Sequence, residues 1–208
     1  MWNPFSKKQE KKLDRPSLEI LNSNCIECQS CSSIVPIVDI QPLSITKCSE
    51  CGNGIFVPIN IKGFWLYKPL GGGGMGSVYK AFHEKNIESD FAVKILPRDK
   101  KGNRRLIDAL LREASIGKSF GRHPHLTFVV DYGKHEDEYF SAMEFCEGKR
   151  LDNLIEEPQA IPQKYVLLWG LQILSAEQRM FDCGYFFKDL KPQNIIIDDG
   201  GNAKLIDY

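Results

Sequence analysis

One cation sits inside an apolar, strand-like run: Phe91-Ala92-Val93-Lys94-Ile95-Leu96. Taking an ammonium out of water is costly without an anion beside it. A fold that buries this run must therefore bring a carboxylate or a phosphate to Lys94. Upstream, "LGGGGMGSVYKA" sets Gly71, Gly73 and Gly76 in the spacing G-x-G-x-x-G, with Val78 two places on. Downstream, "RRLIDALLREASIGKSF" repeats apolar residues at three and four, the period of an amphipathic helix, and offers Glu113 as the natural carboxylate. Dinucleotide-binding crossovers share the glycine spacing, but they enter a helix directly after the loop. Here "SVYKAFHE" follows, and Val78 and Tyr79 favour extended backbone. The expectation is a strand–glycine turn–strand hairpin whose amides approach phosphates closely because no Cβ intervenes.

The same patterning organises the rest of the chain from about residue 61. "FWLYKPL", "LTFVVDYG" and "EYFSAMEF" read as strands, and "KYVLLWGLQILSAEQRMFDCG" as a long apolar helix closing at Gly184. "NIIID" and "AKLID" form a hairpin across "DGGN". The fold class is α+β.

Residues 23–60 have another texture, with five of the seven cysteines between Cys25 and Cys51. The pairs Cys25/Cys28, Cys28/Cys31 and Cys48/Cys51 each have knuckle spacing, and two knuckles can converge four thiolates on one tetrahedral Zn²⁺. A block this short buries too little core alone, so a metal would supply its folding energy. Cys28, Cys31, Cys48 and Cys51 are the favoured ligands, because "SSIVPI" after Cys31 parallels "GNGIFVPI" after Cys51. Cys25 is then the spare, and replaces Cys31 in the other reading. The block resembles a zinc ribbon with a structural or partner-binding role; four thiolates leave no open coordination site for catalysis. Residues 1–22 read as a flexible tail and linker.

Bulk numbers exclude several classes. Of 208 residues, Lys+Arg and Asp+Glu each count 27, a formal net charge of zero, so no basic excess points to nucleic acid. No apolar run approaches the ~20 residues of a membrane span, and the first residues carry charge without an apolar core, unlike an export signal. A cytoplasmic location follows as the expectation for thiols kept reduced.

The ordered motifs from residue 64 onward resemble the protein-kinase family. "GGGGMGSV" looks like its phosphate-covering loop, "FAVK" its strand lysine and Glu113 its helix partner. "KDLKPQN" is similar to the catalytic loop, and "IDY" to the metal-binding segment with Tyr208 in the usual Phe place. The resemblance implies an N-lobe over about 61–147, an antiparallel sheet plus one regulatory helix, and the beginning of a helical C-lobe over 148–208, preceded by the small zinc ribbon. It implies ATP and Mg²⁺ as cofactors and a protein substrate with a serine or threonine acceptor, the pairing Lys191-Pro192 being the form typical of that class. Lys94 would hold the α/β-phosphates and pair with Glu113. Asp189 would orient the hydroxyl and accept its proton, Lys191 neutralise the γ-phosphate, and Asn194 and Asp207 bind Mg²⁺. Met143 would guard the adenine pocket, with Glu144, Phe145 and Cys146 as the hinge. Phe187-Lys188 departs from the family's His-Arg: the charge is kept, but the bidentate fork is lost. His123 and His125 fall in the turn after the regulatory helix, as capping or packing groups. The family continues past Tyr208 with an activation segment and further helices, so the chain is expected to be the N-terminal portion of a longer kinase. The alternative is a non-catalytic nucleotide-binding pseudokinase and zinc-ribbon interaction module.

Overall fold

The computed structural model describes residues 15–73 and 76–207, which fold as two units: 15–102 with 134–140, and 103–133 with 141–207. The first unit opens with α1 (Leu18–Asn22) and two short hairpins, β1 (Cys25–Glu27) with β2 (Ile34–Pro36) and β3 (Ile45–Lys47) with β4 (Gly54–Phe56). Then come β5 (Ile59–Ile61), β6 (Phe64–Gly73), β7 (Gly76–His83) and β8 (Asn86–Ile95), an antiparallel meander. With β9 (Val129–His135) and β10 (Glu138–Glu144) the sheet order is β5-β6-β7-β8-β10-β9. The boundary expected between residues 60 and 61 thus falls inside a strand of this sheet. β6 and β7 pair as far as Gly73↔Gly76, so a hairpin forms where the glycine turn was expected; residues 74 and 75 lie outside the described ones.

Residues 15–22, expected as the end of a flexible tail, are held down by packing and charge. Leu21 is buried against Tyr67 and Phe82, with Leu18 and Trp65 beside it. The Arg15 guanidinium donates from Nε and Nη2 to Asp90 Oδ1, at 3.0 and 2.7 Å. Lys80 Nζ lies 2.8 Å from Asp90 Oδ2, and the Tyr67 hydroxyl donates to Oδ1 at 3.1 Å. Residues 1–14 of the expected tail lie outside the described residues.

The second unit carries α2 (Arg104–Ser119), β11 (Gly148–Arg150), α3 (Leu151–Ile155), α4 (Gln163–Asp182), β12 (Ile195–Asp198) and β13 (Ala203–Leu205). Asn103 caps α2, its side chain accepting from the amides of Arg105 and Leu106. α4 buries Trp169, Ile173, Ala176 and Met180, one stripe at helical spacing, into a core with Phe120, Leu126, Leu154, Ile195, Ile197 and Leu205. Trp169 Nε1 donates to the Gly201 carbonyl at 2.9 Å, which seats the helix on the β12–β13 turn. Along the same helix Val166, Leu167, Leu171 and Leu174 are exposed in this chain. Gly184 ends it at φ 82°, its amide bonding the Phe181 carbonyl at 2.8 Å and the next amide that of Met180 at 3.0 Å. No helix of the described residues is long and apolar enough to cross a membrane.

β11 was not legible as a strand, and one glycine permits it. Gly148 lies opposite Asp198 with φ 152°, and a Cβ there would sit 2.2 Å from the Ile197 carbonyl oxygen. Gly148→Ala should therefore cost about 2 kcal/mol or more, read as a lowered urea midpoint at unchanged slope. A second expectation concerns Asp90. Burial opposes its charge, but the hydrogen bond and charge of Lys80, and then Arg15, outweigh burial and hold its carboxyl below the ordinary value. Its folded pKa being depressed, the stability it contributes is present above the unfolded value of ~3.9 and is lost as pH falls through the folded one. Asp90→Asn should lower stability at pH 7 by about 1–3 kcal/mol, and its unfolding free energy should fall less steeply than the parent's below pH 4.

Candidate functional site

The cysteine block builds two matching knuckles. The Cys28 amide donates to the Ser33 carbonyl and the Ser32 amide to the Cys28 carbonyl, at 2.9 and 2.8 Å. The Cys48 amide donates to the Asn53 carbonyl and the Gly52 amide to the Cys48 carbonyl, at 2.8 and 2.9 Å. Ser32 and Gly52, each directly after the second cysteine of its pair, both take left-handed backbone, at φ 59° and 73°. The Sγ atoms of Cys28, Cys31, Cys48 and Cys51 all lie within 4.8 Å of one another, with Cys28–Cys51 and Cys31–Cys48 at 3.6 Å. Zinc–thiolate bonds of 2.3 Å in a tetrahedron set sulfurs about 3.8 Å apart, so the four thiols fit that ion. Cys25 stands outside the group and donates to the Ser23 carbonyl.

No local signal marks Ser33, whose Oγ lies 3.0 Å from Cys31 Sγ and 3.1 Å from Cys48 Sγ. That hydroxyl, and then the Cys51 amide, hold the Cys48 thiol down to about 6. At Cys51 the Asn53 amide pulls down, but burial and the three neighbouring thiols win and push it up to about 11. Crowded thiols thus split into easy and hard deprotonation, a conflict a cation relieves.

In the first unit the glycine hairpin and Lys94 are joined by register. Val78 lies opposite Lys94 and Gly71 opposite Val78. Lys94 is 6% exposed. Gly76 is closely packed: a Cβ there would meet the Ile95 carbonyl at 3.0 Å and Lys94 Cγ at 3.3 Å, so both neighbours would have to give way by a few tenths of an ångström. Gly71 has no such neighbour within 4 Å, and of Gly73 only the strand backbone is described.

In the second unit the loop before β12 gathers three of the expected residues. Lys191 Nζ lies 2.5 Å from Asp189 Oδ2. Asn194, 7% exposed, donates from Nδ2 to the Asp189 carbonyl at 3.0 Å and to its Oδ2 at 3.3 Å. The Ile206 amide donates to the Asn194 carbonyl at 2.8 Å, so Asp207 follows directly on a backbone tie to the loop. Asp207 itself takes a left-handed φ of 64°; Tyr208 lies outside the described residues. The Lys191 hydrogen bond is the chief reason the Asp189 carboxyl is held below its ordinary value, over the opposing desolvation. Phe187 packs against the second unit's core, and Lys188 is exposed.

Glu113 is half-buried on α2. Glu144 ends β10: its amide donates to the Phe128 carbonyl at 3.0 Å, and its Oε1 accepts from the Phe128 amide at 3.0 Å and from Lys204 Nζ at 2.9 Å. Met143, Glu144, Phe145 and Cys146 are half-buried, and burial pushes the Cys146 thiol up to about 11. Glu144 and Lys204 also line a 280 Å³ cavity with Arg122, His123, Pro124 and Phe128. His123 Nδ1 accepts the His125 amide at 3.2 Å and its Nε2 lies 3.3 Å from Ser175 Oγ, while His125 Nδ1 reaches the Ala203 carbonyl at 2.9 Å, so both rings are engaged within the protein.

Because Lys191 holds the Asp189 carboxyl down, Lys191→Met should raise the Asp189 pKa toward the ordinary value of ~3.9. A carboxyl-carbon NMR titration reads this, and an unchanged midpoint contradicts it.

Residues 64–208 match the family model described as "Protein kinase domain". Human serine/threonine-protein kinase ULK3 is 33% identical over 153 residues, 73% of this chain and 32% of its own length. Serine/threonine-protein kinase PrkC of Bacillus subtilis is 32% identical over 145 residues, 70% of this chain and 22% of its own. The chain thus spans between about a fifth and a third of the curated relatives it matches. Among solved structures, the Mycobacterium tuberculosis PknI kinase domain superposes with a TM-score of 0.60 at 22% identity, over 72% of this chain and 59% of that one. Rad53 in complex with AMP-PNP gives 0.60 at 27% identity, over 71% and 38%.

Proposed function

This chain belongs to the protein kinase domain family, and we propose that the protein of which it is part transfers the γ-phosphoryl group of ATP to serine and threonine hydroxyls of proteins. The observation that carries this reading is the hydrogen-bonded cluster Asp189–Lys191–Asn194, tied through Ile206 to the segment bearing Asp207. Phosphoryl transfer asks a protein mainly for positioning and for charge placed where the transition state develops it. Asp189, exposed and easily ionised, orients the acceptor hydroxyl and takes its proton late in the transfer. Lys191 holds that carboxylate in place and neutralises the transferring group. Lys94 and Glu113 keep the roles expected for them, and the Gly71, Gly73 and Gly76 amides, with Val78, cover the nucleotide. Asn194 spends its Nδ2 on Asp189, which leaves the amide oxygen as the atom a hard cation takes. Asn194 and Asp207 would together hold Mg²⁺, which supplies positive charge to the phosphate oxygens. The Glu144 amide is used on Phe128, so its contact with adenine runs through the carbonyl, with Cys146 completing the hinge.

Phe187 fills the volume of the family's histidine by packing on the core. Lys188 offers only a point charge where the family has a fork, so control by a phosphorylated activation segment is weakened. Cys28, Cys31, Cys48 and Cys51 hold one structural zinc in this reading, within a reducing, cytoplasmic setting. The ribbon's surface would serve a protein partner.

Asp189→Asn in the full-length protein should lower peptide phosphorylation by about 10²–10⁴-fold while Mg·ATP binding persists. Undiminished transfer removes Asp189 from this role, and nucleotide binding without transfer in the parent favours the non-catalytic module. Cys31→Ser should abolish, and Cys25→Ser retain, one zinc per chain by atomic emission; the reverse pattern reassigns the ligands.

A further inference from the structure

The Cys-rich block does not hang from the sheet by a linker. Phe56, the last residue of β4, is followed by buried Val57 and Pro58 and then by β5, which pairs with β6. β6 is the strand that carries Gly71. A second seat lies on the sheet itself: the Phe56 ring stacks on Tyr79, with centroids 5.9 Å apart and planes at 29°. A third follows Lys94, where Arg98 Nη2 donates to the Pro42 carbonyl at 2.9 Å.

The register says which face the ring takes. Cross-strand partners share a face. Val78 faces with Lys94, whereas Tyr79 faces with Pro69 and Val93. The Phe56 ring therefore sits on the face opposite the one that carries Lys94. The block's own core is small: Ile26, Val35 and Ile55 around Cys28 and Cys48. So little apolar area cannot hold the block's shape without the bound cation.

Resting on the phosphotransferase reading, we infer that the metal-loaded cysteine block positions the glycine-rich hairpin for the nucleotide, with Phe56 and Tyr79 as the positioning residues. The block braces β6 and β7 from behind, so the phosphates meet a hairpin already in place. Preorganisation of this kind raises affinity by lowering the ordering cost of binding. Phe56 and Tyr79 touch neither substrate nor metal and act through the strands that bear Gly71 and Val78.

The test is Mg·ATP titration calorimetry on the zinc-loaded full-length protein and its Phe56→Ala, Tyr79→Ala and Tyr79→Phe variants. An aromatic pair of this kind is worth enough to weaken the Kd about 3- to 10-fold in the alanine variants. Zinc should stay at one per chain, and Tyr79→Phe, which keeps the ring, should bind like the parent. In the full-length enzyme Tyr79→Ala should raise the KM for ATP and leave kcat unchanged, a split that general destabilisation would not produce. Alanine variants that bind nucleotide like the parent overturn the inference alone. A parent that binds no Mg·ATP overturns the phosphotransferase reading, and the inference falls with it.

Discussion

The register of β7 on β8 is the constraint from which the first unit follows. It sets Val78 against Lys94, so a buried ammonium shares a face with the strand leaving the glycine turn. It brings the Ile95 carbonyl so near Gly76 that a Cβ there would lie only 3.0 Å from it. A slip of one residue would move Lys94 to the opposite face, where Val93 now packs, and leave the ammonium without water or a phosphate to meet it. The Phe56–Tyr79 stack on one face and the Asp90 ion pairs on the Lys94 face both presume that alternation.

The second unit works on a smaller scale. Its polar cluster spans six positions, Asp189 to Asn194, and closes on itself through hydrogen bonds. What fixes that loop in space is the apolar frame around it: Phe187 packed before it and Ile195 and Ile197 after it. Trp169 adds a polar clasp at the far end of the same hairpin. The chemistry is short-range, and the scaffold that aims it is not.

How much of this was legible follows from range. The glycine hairpin, the helix closing at Gly184 and the hairpin across "DGGN" are written in local turn chemistry, and each formed where the sequence put it. The α+β class and the family follow from the same ordered motifs. α1 was missed because nothing local marks it: Ser17 makes no side-chain cap, and Leu21 is held by Tyr67 and Phe82 far along the chain. The Arg15–Asp90 pair spans 75 positions. β11 was missed because its three residues are exposed and its cause, the Ile197 carbonyl, lies on another strand. Spacing alone could not separate Cys25 from Cys31. The parallel between "SSIVPI" and "GNGIFVPI" pointed to the geometry found, in which Ser32 and Gly52 make the same left-handed turn. Ser33 had no such signal, since only the approach of the two knuckles puts its hydroxyl between thiols.

The path through Val57 and Pro58 bears on how such a chain can be assembled by recombination. Cys51 and Ile59 are separated only by residues already committed to knuckle, strand or buried connection. Among these described residues there is no exposed, pliable joint at which one module could be exchanged without re-forming the other's edge. A ribbon taken from elsewhere would arrive without β5, and a sheet deprived of this ribbon would show Tyr79 and its neighbours to water. The two are heritable as one piece, so gain or loss of the cysteine block is a change to the sheet, not an accessory swap.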